Sequence, residues 1–179
     1  MVANNNYWLE REQNKAYKSA KRLNKSLEKV YKRAYREINR ELEDLWLKML
    51  SDGEVSNATL YKDARLNKLL SALQMHLNVL GVQTITDLQM TLTETLRSAW
   101  EVSSENLQAD SLMESTTLIN DQLAKEIVNA NYKNATFSER VWKNLSLIRT
   151  QIENSIINTA VNGQDVKRAS RYLAERMGV

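Results

Sequence analysis

The sequence predicts an all-α protein, a long N-terminal helix followed by a bundle of about five further helices, and three observations lead there. Proline is absent and glycine occurs only at Gly53, Gly81, Gly163 and Gly178, so the residues that interrupt helices are almost missing. Apolar residues recur at alternating intervals of three and four along most of the 179 positions. No stretch alternates strictly between polar and apolar as a half-buried strand must.

The first element is the longest. Ala16, Ala20, Leu23, Leu27, Val30, Ala34, Ile38, Leu42, Leu45 and Met49 form one stripe, with a stutter between Ala34 and Leu42 that would unwind a supercoil without ending the helix. A helix from about Asn6 to Leu50 is roughly 65 Å long, more than the width of a small domain, so the reading expects part of it to project or to pack on a partner. Residues 1–50 therefore form one predicted segment, basic then acidic, and residues 57–179 a helical bundle.

Ser51-Asp52-Gly53 stops the first helix, and Ser56 or Asn57 caps the next. Leu66, Leu70, Leu73, Leu77 and Leu80 mark a helix ending at Gly81, and Ile85, Leu88, Leu92, Leu96 and Trp100 another opened by Thr84 or Thr86, so the pair reads as a helical hairpin. Ser111-x-x-Glu114 has capping-box spacing before Leu118, Leu123, Ile127 and Ala130. A second such box, Thr136-x-x-Glu139, precedes the stripe Val141, Leu145, Ile148, Ile152, Ile156 and Ala160, which ends at Asn162-Gly163. Asp165 caps a last helix with Val166, Ala169, Tyr172 and Leu173 facing inward and Gly178 as its stop. Residues 136–179 thus form a C-terminal helical hairpin.

Charge is distributed unevenly although its net value is only +3. From Lys15 to Arg36 the cations Lys15, Lys18, Lys21, Arg22, Lys25, Lys29, Lys32, Arg33 and Arg36 are opposed only by Glu28, whereas Glu37, Glu41, Glu43, Asp44, Asp52 and Glu54 dominate the stretch that follows. The basic face, taken as Lys18, Lys21, Arg22, Lys25, Lys29, Lys32 and Arg33, suits phosphate contacts without sequence readout, and the alternative is a solvated helix face. Tyr17, Tyr31 and Tyr35 interleave with it and read either as base-stacking or as packing residues. Core packing is the reading for Trp100 and Trp142, whereas Trp8, at the tip of the helix, is a candidate partner anchor. Lys167, Arg168 and Arg171 give the last two helices a helix-turn-helix outline, for which a plain helical hairpin is the simpler account.

Chemistry-bearing patterns are missing. Cysteine is absent, His76 is the single histidine, and no nucleophile–base pair, HExxH or phosphate loop occurs, so the reading expects no catalysis, no cofactor and no metal. The acidic group Glu37, Glu41, Glu43 and Asp44 lacks an accompanying metal-ligand pattern. No segment has the length of uninterrupted apolar residues that a bilayer requires and no secretory h-region opens the chain, so a soluble, non-exported protein is expected, and its Asn-x-Ser/Thr triplets read as caps and turns.

Two places resemble a known family. Tyr7-Trp8-Leu9-Glu10-Arg11 opening a long basic helix resembles the start of phage minor head proteins, the head morphogenesis family that includes the Mu F-like proteins. Phe137-Ser138-Glu139-Arg140-Val141-Trp142, the Ile-rich helix, Gly163-Gln164-Asp165-Val166 and Leu173-Ala174-Glu175-Arg176-Met177-Gly178-Val179 are similar to that family's aromatic-Trp helix, Gly turn and final Leu-x-x-Arg-x-Gly-Val. The resemblance implies a minor capsid protein of a tailed bacteriophage, present in the virion and in the host cytoplasm during assembly, bound to the portal protein and inner capsid and involved in head morphogenesis and DNA packaging or delivery. It gives Tyr7, Trp8 and Arg11 as partner-binding residues and carries over no catalytic ones. Family members typically continue past the Gly-Val, so a shortened or processed form or an unusually short member is expected. The competing readings are a non-specific binder of double-stranded DNA, such as an ejected phage protein, and a coiled-coil protein that forms homo-oligomers.

Overall fold

The computed structural model describes residues 5–109 and 119–179, with side chains at those positions apart from 5, 6, 8 and 106–109. It contains α1 (Asn5–Ser51), α2 (Asn57–Tyr61), a 3-10 turn at Lys62–Ala64, α3 (Arg65–Ala109), α4 (Asp121–Val128), α5 (Phe137–Val161) and α6 (Val166–Met177). The fold is all-α; among the described residues the only β feature is an isolated bridge between Tyr132 and Ala135.

The chain divides into two compact units that are discontinuous in sequence, one of residues 1–27 with 85–138 and one of residues 28–84 with 139–179. These units do not follow the sequential division at residues 50 and 57. Each draws on part of α1 and part of α3.

The unit of residues 28–84 and 139–179 holds the main core. From Ala34 the α1 stripe is buried, with Ile38, Leu42, Leu45 and Met49 against Leu66, Leu69, Leu73, Leu77 and Leu80 of α3, Leu145, Ile152, Ile156 and Ala160 of α5, and Ala169, Leu173 and Met177 of α6. Burial at about 25 cal/mol per Å² of apolar surface makes this stripe, rather than helix propensity, the main support of α1 here.

Local polar contacts set the element ends. The Ser56 hydroxyl accepts the Thr59 N–H while the Thr59 hydroxyl accepts the Ser56 N–H at 3.0 Å, a reciprocal box that starts α2. The turn between α2 and α3 places Asp63 and Ala64 at φ 53° and 54°, a left-handed pair that L-residues adopt at a cost of about 1–2 kcal/mol each. Arg65 spans this turn, donating to the Lys48 carbonyl at 3.3 Å, the Thr59 carbonyl at 3.4 Å and Asp52 Oδ2 at 2.7 Å. After α5, the Gly163 N–H donates to the Ala160 carbonyl and the Gln164 N–H to the Thr159 carbonyl, with Gly163 at φ 60°. The same pattern closes α6 through Gly178 and Val179.

Lys62, the larger influence, and Arg65 both donate to Asp52, at 3.0 and 2.7 Å, and hold its carboxyl below the usual carboxylate range. A depressed carboxyl contributes stability above its unfolded pKa, and the contribution falls away as pH drops through the folded value. Asp52→Asn is therefore expected to melt earlier than the parent at neutral pH, with the two melting curves converging in acid below about pH 4. Thermal melts across that range check the convergence.

Three expectations need correction. Gly81 does not end a helix: α3 runs unbroken from Arg65 to Ala109, so the hairpin read at residues 66–100 is one helix. Gly81 has no Cβ because a Cβ there would meet the Trp142 ring atoms Cη2 and Cζ3 at 2.5 Å and Leu145 Cδ1 at 2.8 Å. The glycine is a seat for an indole, and the helix carries the propensity cost of about 1 kcal/mol. Second, the helix near Leu123 is α4, and its start is Asn120, whose side chain accepts the Leu123 N–H at 2.7 Å. Ser111, Glu114 and Leu118 lie outside the described residues. Third, Trp100 and Trp142 are not core residues, being 44% and 37% exposed, whereas Trp46 is 2% exposed and donates its indole N–H to the Gln164 carbonyl at 3.0 Å.

The unit of residues 1–27 and 85–138 is held more by polar contacts. Arg11 pairs with Glu105, Arg97 with Asp121, the Ser26 hydroxyl donates to Asp87 at 2.6 Å and the Gln89 amide donates to Asn129 at 2.9 Å. Lys133 and Asn134 at φ 49° and 63° form a tight two-residue turn closed by both bonds of the Tyr132–Ala135 pair. Val102 and Ala124 are buried, but Leu92, Leu123 and Ile127 are exposed.

Candidate functional site

A cationic run on a helix becomes a binding face only if its members share one side and are not neutralised by carboxylates. In α1 the cations recur at intervals of three and four, which is the spacing of one helix side. Within residues 1–27, Lys18, Lys21, Arg22 and Lys25 are all exposed, and no carboxylate pairs with them among the described residues. Within residues 28–84, Lys29 and Arg33 are likewise exposed and without an ion pair among the described residues, whereas Lys32 is engaged by Glu28 one turn earlier. Their opposite flank is the apolar stripe, so packing of α1 leaves the cations on the solvent side.

The tyrosines separate. Tyr17 is 69% exposed, while Tyr31 and Tyr35 pack against the core of residues 28–84 and 139–179, and burial pushes the Tyr31 phenol up. Stacking on bases is open to Tyr17; the other two are packing residues.

Of the partner-binding candidates at the start of α1, Tyr7 is 57% exposed and Leu9 lies exposed beside it. Arg11 is tied to Glu105, so a partner's carboxylate would have to displace that pair. The side chain of Trp8 lies outside those described. Self-association through the α1 stripe is restricted by the fold: from Ala34 to Met49 the stripe is already covered by α3, α5 and α6. An apolar strip that sequence reading missed is Met75, Val79 and Val82 of α3, each more than half exposed. Its four-three spacing was available, but the leucine stripe on the same helix masked it.

Among the described residues no group of three or more His, Asp or Glu side chains is arranged to hold a metal, and no helix is long and apolar enough to cross a membrane. Glu43, one of the acidic residues of α1, accepts the Asn39 amide at 2.7 Å. His76 is half-buried in α3 with no hydrogen-bond partner on Nε2. No family model matches the chain, and no curated protein or solved structure is significantly similar to it.

Proposed function

We propose that this chain is a structural minor head protein of a tailed bacteriophage, associated with the portal and the inner capsid and acting through protein contacts rather than catalysis. The observation that carries the reading is the resemblance of residues 137–179 to that family, together with the way those residues fold. The aromatic-Trp helix is α5, with Trp142 over Gly81; the Gly turn is Gly163; and the final Gly-Val closes α6. Each residue quoted for the resemblance in that stretch and used here has a structural task, which is how a shared local pattern is kept in a fold. Tyr7 and Leu9, exposed at the start of α1, are the side chains offered to the portal.

A second reading, a non-specific DNA-binding module, is favoured by one observation: Lys18, Lys21, Arg22 and Lys25 are exposed and lack ion pairs among the described residues. Phosphates take up such cations with release of counterions, so binding weakens steeply with salt.

Light-scattering mass on a sizing column separates the two readings, using the full chain with its cognate portal protein and, separately, with a DNA duplex at low and high salt. A salt-resistant complex with portal supports the minor head reading; a complex with DNA alone, lost at high salt, replaces it with the second. In that case, changing Lys18, Lys21, Arg22 and Lys25 together to glutamine is expected to flatten the log-affinity versus log-salt slope by about three to four.

A further inference from the structure

The cations of α6 belong to neither reading. Lys167, Arg168 and Arg171 are exposed, have no ion pair among the described residues, and occupy one ridge of a helix only twelve residues long. Troughs flank this ridge on both sides. The one between α5 and α6, about 590 Å³, is walled by Asn154, Asn158 and Asn162 opposite Arg168 and Arg171, with Glu175 as its one acid. The one between α1 and α6, about 550 Å³, is lined by Tyr35, Asn39 and Ser170 beside Lys167 and Arg171. Its carboxylates are Glu43, which accepts the Asn39 amide, and Asp165, whose side chain accepts the Lys167 N–H at 3.3 Å as the α6 cap. Arg171 reaches both troughs, so it stands at the crest. Arg176, at the far end, lies over the Tyr172 ring at 4.8 Å.

We propose that α6 is a contact helix for a nucleic-acid duplex, seated in the major groove with the phosphate backbones received by the two troughs. A helix of about 10–12 Å diameter matches the width of the B-DNA major groove, about 12 Å, provided that it stands clear of its neighbours, and the troughs give it that clearance. Arginine at the crest has the geometry to bond a base edge or a phosphate with two donors, and the asparagine wall supplies amide donors for phosphate oxygens on one flank. A convex basic ridge is the inverse of the concave, apolar-anchored groove that binds a peptide, so a duplex is favoured over an acidic peptide. The site stands on residues 139–179 and part of α1 in a single unit. It depends neither on the portal reading nor on Lys18 to Lys25.

The test is fluorescence anisotropy of a labelled duplex of about two helical turns with the full chain over a salt series. Arg168→Gln with Arg171→Gln is compared with the quadruple α1 variant, and polyglutamate serves as competitor. Because both arginines are exposed, circular dichroism is expected to be unchanged. The double variant is expected to bind about tenfold more weakly, with a salt slope lower by about two, while polyglutamate at equal charge displaces little duplex. Parental affinity and slope in the double variant, equal competition by polyglutamate, or no duplex binding by the parent at low salt would each overturn the proposal. Weakening in the α1 variant alone assigns DNA contact to α1 and also overturns it.

Discussion

Trp46→Ala is expected to lower the stability of the full chain by about 3–5 kcal/mol, the range of a large aromatic removed from a packed site. Trp46 is 2% exposed in a core formed with α3, α5 and α6, and its indole N–H is the donor to the Gln164 carbonyl at 3.0 Å. That carbonyl lies in the turn joining α5 to α6, so the tryptophan couples α1 to the C-terminal hairpin by packing and by a directed bond. Trp46→Phe separates the two contributions. It retains most of the apolar contact and leaves the carbonyl without its donor, at an expected cost of about 1–3 kcal/mol. Urea melts of the parent and both variants measure these losses, and a phenylalanine variant as stable as the parent would show that the bond contributes nothing.

At Gly81 the sign of a substitution is expected to depend on a residue 61 positions away. Helix propensity alone favours Gly81→Ala by about 1 kcal/mol. The Cβ, however, would stand 2.5 Å from two Trp142 ring atoms and 2.8 Å from Leu145 Cδ1, and displacing them from a packed position costs about 1–3 kcal/mol. Gly81→Ala is therefore expected to destabilise the parent and to stabilise a Trp142→Ala background. The coupling energy from the four melts of a double-mutant cycle is the measured quantity. Equal effects in both backgrounds would mean that the indole is not what excludes a side chain at this position.

These two sites show where sequence reading stopped. Gly81 follows a leucine stripe and precedes threonines able to cap a new helix, so a local rule reads it as a terminus. Its role is set by Trp142, which no local rule connects with it. Likewise the four tryptophans are equivalent as sequence, and burial distinguishes Trp46 from Trp100 and Trp142 only because 118 positions separate Trp46 from the carbonyl that it meets. The cations of α1 were legible, since spacing of three and four on a helix places them on one side whatever else the chain does. Those of α6 were legible as residues, but the troughs that raise them into a ridge come from the packing of α1, α5 and α6.

By itself the sequence determined the all-α class and the ends of α1, α5 and α6. Absence of proline, regular apolar stripes and caps such as Asp165 and Gly178 act within a turn or two of the chain, where side chain and backbone are covalently close. Tertiary structure decided that α3 is a single helix, which aromatic residue is buried, that the stripe from Ala34 to Met49 is covered by its own chain, and which basic residues stand clear of it. Those outcomes depend on volume and contact between segments far apart in sequence. Close packing settles them all together, so no window of the sequence contains the information to settle one alone.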